Sequence, residues 1–241
     1  MNLNEFYEAH AAQEATDFRF VALEEFLVSR MRGRSAADIG CGTGALARDL
    51  AVRGWRVLAV EPDPSLHAMA AATLAGVKGD CRLVRATIED IAADEVAACE
   101  NVLLVDVLEH IEDDGRMLAA IFAKMAPGAR LLCLLPALES LYGQRDRSVG
   151  HYRRYSLAAA RRLFSGAPFR AVEYRYWNLL GVGPYWWYEK FLGRQMPETF
   201  RQGPRSFLQK ALNAALLSWF RRFENRFTPP LGLSLLVTAV K

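Results

Sequence analysis

The stretch Ala36-Ala37-Asp38-Ile39-Gly40-Cys41-Gly42-Thr43-Gly44-Ala45-Leu46-Ala47 limits what this chain can fold into more than any other part of it. A short apolar run ends in an acid, glycines follow at every second position, and an amphipathic helix begins directly after them. Glycine is needed where the backbone takes positive φ, or where a ligand must approach with no Cβ in the way. The spacing therefore predicts a strand, a tight turn and a helix N-terminus.

The same grammar repeats downstream. A helix from Ala45 to about Arg53 ends at Gly54, and residues 55–60 form an apolar strand that runs into Glu61, 21 residues after Gly40. An acid at that distance, at the end of a second strand, is where a ribose hydroxyl pair is held. Pro64-Ser65 opens a helix to Leu74, residues 82–86 form a third strand, and residues 101–106 form a fourth, apolar throughout as in a parallel sheet buried on both faces. A helix over 114–125, a Pro127-Gly128 turn and a strand over 130–135 follow. Alternation of this kind predicts an α/β, doubly wound sheet. Ligands bind outside the carboxyl ends of such strands, so Asp38, Glu61, the segment Thr87–Asp90 and the segment Asp106–His110 are expected on one rim.

Two of these segments carry a family resemblance. Asp38-x-Gly40-x-Gly42-x-Gly44 has its third glycine one place early for a dinucleotide turn, and it resembles motif I of the class I S-adenosylmethionine-dependent methyltransferases. Val107-Leu108-Glu109-His110, followed by acids, resembles the segment after strand four in that family. The resemblance implies a Rossmann-like seven-stranded sheet with its last strand, over 231–240, slotted antiparallel between strand five and a sixth strand at 169–177. It also implies N-terminal helices over the cofactor, with Tyr7 and Arg19 as candidate contacts. The implied cofactor is S-adenosyl-L-methionine, held by Asp38, Gly40, Cys41, Gly42, Gly44, Glu61, Asp63, Thr87, Ile88, Glu89, Asp106, Val107 and Leu108. The chain departs from the family at Thr87, in the adenine loop where an aspartate is commoner.

The acceptor side falls to residues 136–156, a loop of about twenty residues; a loop of that length in a compact domain is usually functional. Its Gly150-His151-Tyr152-Arg153-Arg154-Tyr155 resembles a bacterial subgroup of the same enzymes. Histidine suits proton removal from a hydroxyl or amine at neutral pH, so His151, with His110 as rival and Tyr152 beside it, are the candidate catalytic groups. Arg145, Arg153, Arg154 and Tyr155 are the candidate acceptor contacts, because forked guanidinium groups suit a phosphate or carboxylate. Asp106-x-x-Glu109-His110 with His151 also resembles the E-x-x-E-H metal site of some methyltransferases. Asp106 stands where the first glutamate would be and V-L-E-H occurs without metal, so no metal ligand is assigned.

The whole chain, 1–241, reads as one methyltransferase domain: N-terminal helices at 1–33, a cofactor core at 34–177, an aromatic and basic insertion at 178–228 and a closing strand at 229–241. The insertion suggests a peripheral membrane contact or an amphiphilic acceptor, with packing on its own domain or on a second subunit as the competing use. A net charge of +3 without a basic face, and no N-P-P-Y-type segment, argue against a nucleic-acid partner. Four cysteines without C-x-x-C spacing and the polar opening Met1-Asn2-Leu3-Asn4-Glu5 point to a reducing, cytoplasmic setting with no secretory signal. The expected function is methyl transfer to an oxygen or nitrogen of a small or amphiphilic acceptor, one bearing an anionic group if the arginines bind it. The alternatives are an NAD(P)-dependent oxidoreductase, which would use the same glycines and Glu61, and a non-catalytic S-adenosylmethionine-binding module.

Overall fold

A computed structural model describes residues 17–194 and 206–241. The helix expected around Phe6, Tyr7 and His10 lies outside the described residues. In chain order the elements are α1 (Phe18–Val28), β1 (Ser35–Ile39), α2 (Ala45–Val52), β2 (Arg56–Val60), α3 (Pro64–Leu74), β3 (Cys81–Val84), α4 (Ala93–Ala97) and β4 (Asn101–Val105). They continue with α5 (Asp114–Lys124), β5 (Arg130–Pro136), α6 (Gln144–Ser148), α7 (Leu157–Ser165), β6 (Ala171–Trp177), α8 (Val182–Trp186), α9 (Phe207–Trp219) and β7 (Ser234–Val240).

The seven strands form one sheet in the order β3-β2-β1-β4-β5-β7-β6. The first five are parallel, and β7 runs antiparallel to both β5 and β6. The expected slot for the closing strand is therefore the observed one. The period-2 alternation of each strand divides the core in two. Ile39, Leu104, Cys133 and Val237 face a layer holding Leu118, Ile121 and Phe164 from α5 and α7. Ala36, Leu103, Leu132 and Leu236 face Phe26, Leu46, Leu50 and Phe220 on the other side.

Helix starts follow local chemistry. Asp17, Asp63, Asp113 and Ser156 each cap a first turn by accepting a backbone N–H with the side chain. Two expectations change. Residues 136–156 are not a structureless loop, because a short turn at Glu139–Leu141 and α6 occupy its first half. Helix α4 is also new: its five residues are too few to show an apolar period. Among the described residues, no helix is long and apolar enough to cross a membrane.

Candidate functional site

A cavity of about 590 Å³ opens at the rim where β1, β2, β4 and β5 end and β7 begins. That is the size range of small-molecule sites. Gly40, Cys41, Gly42 and Thr43 of the glycine turn line the cavity, while Gly44 faces Ala70 of α3. Gly40, Gly42 and Gly44 take φ of 73°, 55° and 77°, the left-handed region that favours glycine. A Cβ on Gly40 would lie 2.8 Å from Val107 Cγ2, so the turn and the segment after β4 can meet only without it. A Cβ on Gly42 would meet nothing within 4 Å, which leaves that backbone open to a ligand.

Glu61 ties the turn to the end of β2. Its Oε2 accepts the Gly42 N–H at 2.8 Å and its Oε1 accepts the Asp63 N–H at 3.0 Å. Burial raises its pKa, and these two backbone donors oppose the rise. Asp38 is 2% exposed and its Oδ2 has no hydrogen-bond partner. Burial, with Glu61 adding to it, pushes the Asp38 carboxyl up to about 7. Two buried acids on one rim, one of them with an open oxygen, suit hydroxyl groups or a positive charge on a ligand. Burial also pushes the Cys41 thiol far up, so this cavity-lining cysteine stays neutral.

Asp63 caps α3 through the N–H groups of Ser65 and Leu66 and lines the cavity with Pro62 and Leu66. Three of the residues expected at the cofactor's adenine end fall elsewhere. Thr87 Oγ1 donates to Asp90 Oδ2, Ile88 is buried in the core, and Glu89 is exposed. None of the three lines the cavity. At β4, Asp106 and Val107 line the cavity, while Leu108 packs in the core. Asp106 takes φ of 52°, a strained value for a residue other than glycine, and such outliers gather at functional sites.

The acceptor-side wall is organised by a residue that the sequence reading passed over. Asp146 is fully buried. It accepts from the Gly143 N–H at 2.9 Å, from Arg154 Nε at 2.9 Å to both oxygens, and from the Tyr185 hydroxyl at 3.2 Å. His151 Nδ1 lies 3.0 Å from its Oδ1. Burial alone would raise this carboxyl, but the hydrogen bonds from His151 and Arg154 hold it below the usual carboxylate range. The signal for it was an acid set between two arginines, Arg145-Asp146-Arg147.

That hub decides which expected acceptor residues reach the cavity. His110, Arg145, His151, Arg154 and Tyr185 line it. Arg154 is committed to Asp146 and to the Ala137 carbonyl at 3.1 Å, and its guanidinium lies over the Tyr185 ring. Arg153 is not among the residues lining the cavity. It pairs with Asp114 at 3.0 Å and donates to the Glu112 carbonyl at 2.7 Å. Tyr155 also lies off the lining, its hydroxyl donating to Asp114 at 2.8 Å beneath the surface. Tyr152 is 55% exposed and lies outside the cavity lining, held through its backbone N–H to the Glu109 carbonyl at 2.7 Å.

His110 and His151 meet edge to face, with ring centroids 4.6 Å apart. Burial, then the neighbouring His151, lowers the His110 pKa to about 4, so it is neutral at physiological pH. Behind them Glu109 is fully buried, and both its carboxylate oxygens lack hydrogen-bond partners. Burial, reinforced by Asp106, raises its pKa well above the ordinary value. Glu109, His110 and His151 each offer a ligand atom within 4.8 Å of the others.

Comparisons with known proteins agree with this architecture. A family model described as a methyltransferase domain matches residues 7–176. A ubiquinone biosynthesis O-methyltransferase of Xanthomonas euvesicatoria is 27% identical over 132 residues, 53% of this chain and 54% of that protein. The protein of that name from Hahella chejuensis is 34% identical over 105 residues, 41% of this chain and 42% of its own. The matches span about half the length of these curated relatives. Among solved structures, a methyltransferase of Thermotoga maritima superposes with a TM-score of 0.63 at 13% identity, covering 98% of this chain and 95% of that one. A phosphoethanolamine N-methyltransferase of Haemonchus contortus, solved with S-adenosylhomocysteine, has a TM-score of 0.60 at 17% identity, covering 91% of this chain and 52% of that one. At these identities the structural likeness speaks for the fold.

Proposed function

From the premise that the chain belongs to the methyltransferase-domain family, we propose that it transfers a methyl group from S-adenosyl-L-methionine to a hydroxyl or amine of a small or amphiphilic acceptor. The residues present fit that donor. Glu61 stands at the strand end where a ribose hydroxyl pair is held, Gly42 leaves the backbone open, and Asp38 keeps an unpartnered oxygen on the rim. S-adenosyl-L-methionine supplies a methyl already activated on a sulfonium. The chain's task is therefore alignment, exclusion of water and, for a hydroxyl or amine, removal of a proton.

The observation that carries the reading is His151. Its Nδ1 is held by Asp146, which orients the ring, its Nε2 lies 3.9 Å from the buried Glu109 carboxylate, and the imidazole lines the cavity as the candidate base. Arg145, which lines the cavity, is the candidate contact for an anionic group on the acceptor. The relatives named as ubiquinone biosynthesis O-methyltransferases support an oxygen nucleophile. The test is methyl transfer from isotopically labelled donor to a panel of phenols, catechols, amines and phosphorylated lipids, with calorimetric titration of adenosylhomocysteine and of NAD. Binding of adenosylhomocysteine with turnover on a hydroxyl acceptor is the expected result. Binding of NAD alone would point to an oxidoreductase, and donor binding without turnover on any acceptor to a binding module.

A second reading rests on the orphaned oxygens of Glu109. A buried carboxylate flanked by two imidazoles fits a divalent cation held by Glu109, His110 and His151. A cation there would lower the pKa of an acceptor hydroxyl, and His151 would then be a ligand and not the base. Metal analysis of the purified protein, with turnover measured after chelation and after readdition of Mg²⁺, Mn²⁺ or Zn²⁺, separates the two.

A further inference from the structure

The insertion after β6 leaves a large apolar surface in water. On α8 and the turn that follows, Trp186, Trp187 and Phe191 are 49%, 46% and 62% exposed, and the rings of Trp187 and Phe191 stack with centroids 4.2 Å apart. On α9 and its continuation, Phe207, Trp219, Phe223 and Phe227 are exposed, with Trp219 and Phe223 stacked at 4.9 Å. Trp219 and Phe223, four residues apart, share a helical face, and Phe227 follows three residues past the helical segment that ends at Glu224. Large exposed aromatic patches mark interaction sites.

The exposed charges that the insertion itself carries among its described residues have one sign. Among the described residues of 178–231 the cations are Lys190, Arg194, Lys210, Arg221, Arg222 and Arg226, all exposed, and the acids are Glu189 and Glu224. Both acids are buried. Glu189 accepts the Gln144 N–H at 2.9 Å, and Glu224 accepts from the Leu179 N–H and from Trp219 Nε1. Among the described residues of this segment the fold has thus withdrawn the negative charge from the surface and left the positive charge there.

The patch also adjoins the cavity. Tyr185 on α8 lines it, and so do Arg19, Phe20 and Leu23 of α1. The end of α9 is seated on α1 through Phe18 against Phe220, Arg221 with Glu25, and the Asn225 side chain on the Ala22 carbonyl at 3.0 Å. We propose that the aromatic and basic surface of α8 and α9 docks on an anionic lipid bilayer, holding the cavity mouth beside the membrane. Tryptophan and phenylalanine enter the headgroup boundary, while lysine and arginine meet lipid phosphates. This proposal stands on the surface alone, and its test needs no methyl transfer.

The full chain is mixed with vesicles of equal parts phosphatidylglycerol and phosphatidylcholine, and with phosphatidylcholine alone. Binding is read by flotation and by quenching of tryptophan with brominated lipid. Co-flotation with the anionic vesicles only, released by salt near 1 M, is expected, with quenching because Trp186, Trp187 and Trp219 are exposed while Trp55 and Trp177 are buried. Arg222→Ala/Arg226→Ala should weaken partition about thirtyfold. Trp187→Ser/Phe191→Ser should weaken it at least as much, with adenosylhomocysteine binding unchanged. Phe227→Ser, a single exposed site, serves if the double variant fails to fold. Absence of flotation at low salt, or flotation without quenching, overturns the proposal. A concentration-dependent dimer lost in the same variants would assign the surface to a second copy of the chain instead.

Discussion

His151 Nδ1 lies 3.0 Å from Asp146 Oδ1, and the same carboxylate holds Arg154 through both of its oxygens. One buried acid therefore orients the candidate base and anchors an arginine of the cavity wall. Through Tyr185 it also ties the insertion to the acceptor-side segment.

Asp146→Asn keeps an acceptor for His151 and Arg154 but removes the charge. Turnover should fall about a hundredfold with little change in KM for the methyl donor, the scale of a misplaced general base. Asp146→Ala leaves Arg154 buried without its partner and should cost about 3–5 kcal/mol of stability. Steady-state kinetics and thermal denaturation check the pair. Full turnover in Asp146→Asn would show that His151 does not depend on this carboxylate.

Glu61→Ala removes the acceptor for the N–H groups of Gly42 and Asp63 as well as the candidate ribose contact. Loss of hydrogen bonds to a charged group costs about 1.5–3 kcal/mol, so the Kd for adenosylhomocysteine should rise about ten- to a hundredfold. Calorimetric titration reads this directly, and an unchanged Kd would remove Glu61 from the donor site.

Asp38 gives the ligand-free protein a pH signature. Its folded-state pKa of about 7 stands above the ordinary carboxylate value of 3.8, so the folded state keeps a proton that the unfolded chain has lost. Its contribution to stability is thus fully present below about pH 4 and is lost as pH rises toward 7, by at most about 1.4 kcal/mol per pH unit. Asp38→Asn should flatten that slope. Melting temperatures of both proteins without ligand, across this pH range, test it; equal slopes would mean that Asp38 is ionised in the folded state.

Gly40 and Gly42 should answer substitution differently. Both take positive φ, which costs alanine about 1–2 kcal/mol. Gly40→Ala adds a clash with Val107 and should be the less stable protein. Gly42→Ala meets no protein atom, so its main loss should be donor affinity. Comparison of unfolding midpoints and of adenosylhomocysteine Kd distinguishes the two, and a Gly42→Ala protein with unaltered affinity would place the donor elsewhere.

Residues close together in sequence determined the parallel half of this protein. The apolar run before Asp38, the alternate glycines, and the acids at the ends of β1, β2 and β4 are read from spacing, because strand, turn and helix N-terminus each impose a local rule. The slot of the closing strand followed from the family resemblance those residues carry. Tertiary structure decided the rest, because burial and pairing depend on what is brought near. Thr87, Ile88 and Glu89 lie off the cavity, with Thr87 paired to Asp90 and Ile88 packed in the core. Arg153 and Arg154 are adjacent and alike in sequence, yet Asp114 takes one and Asp146 the other. Glu189 and Glu224 look like ordinary surface acids until the fold buries them, and only then is the surface of the insertion purely basic among its described residues. Charge on a page of sequence is a sum, whereas charge on a surface is what remains after the core has taken its share.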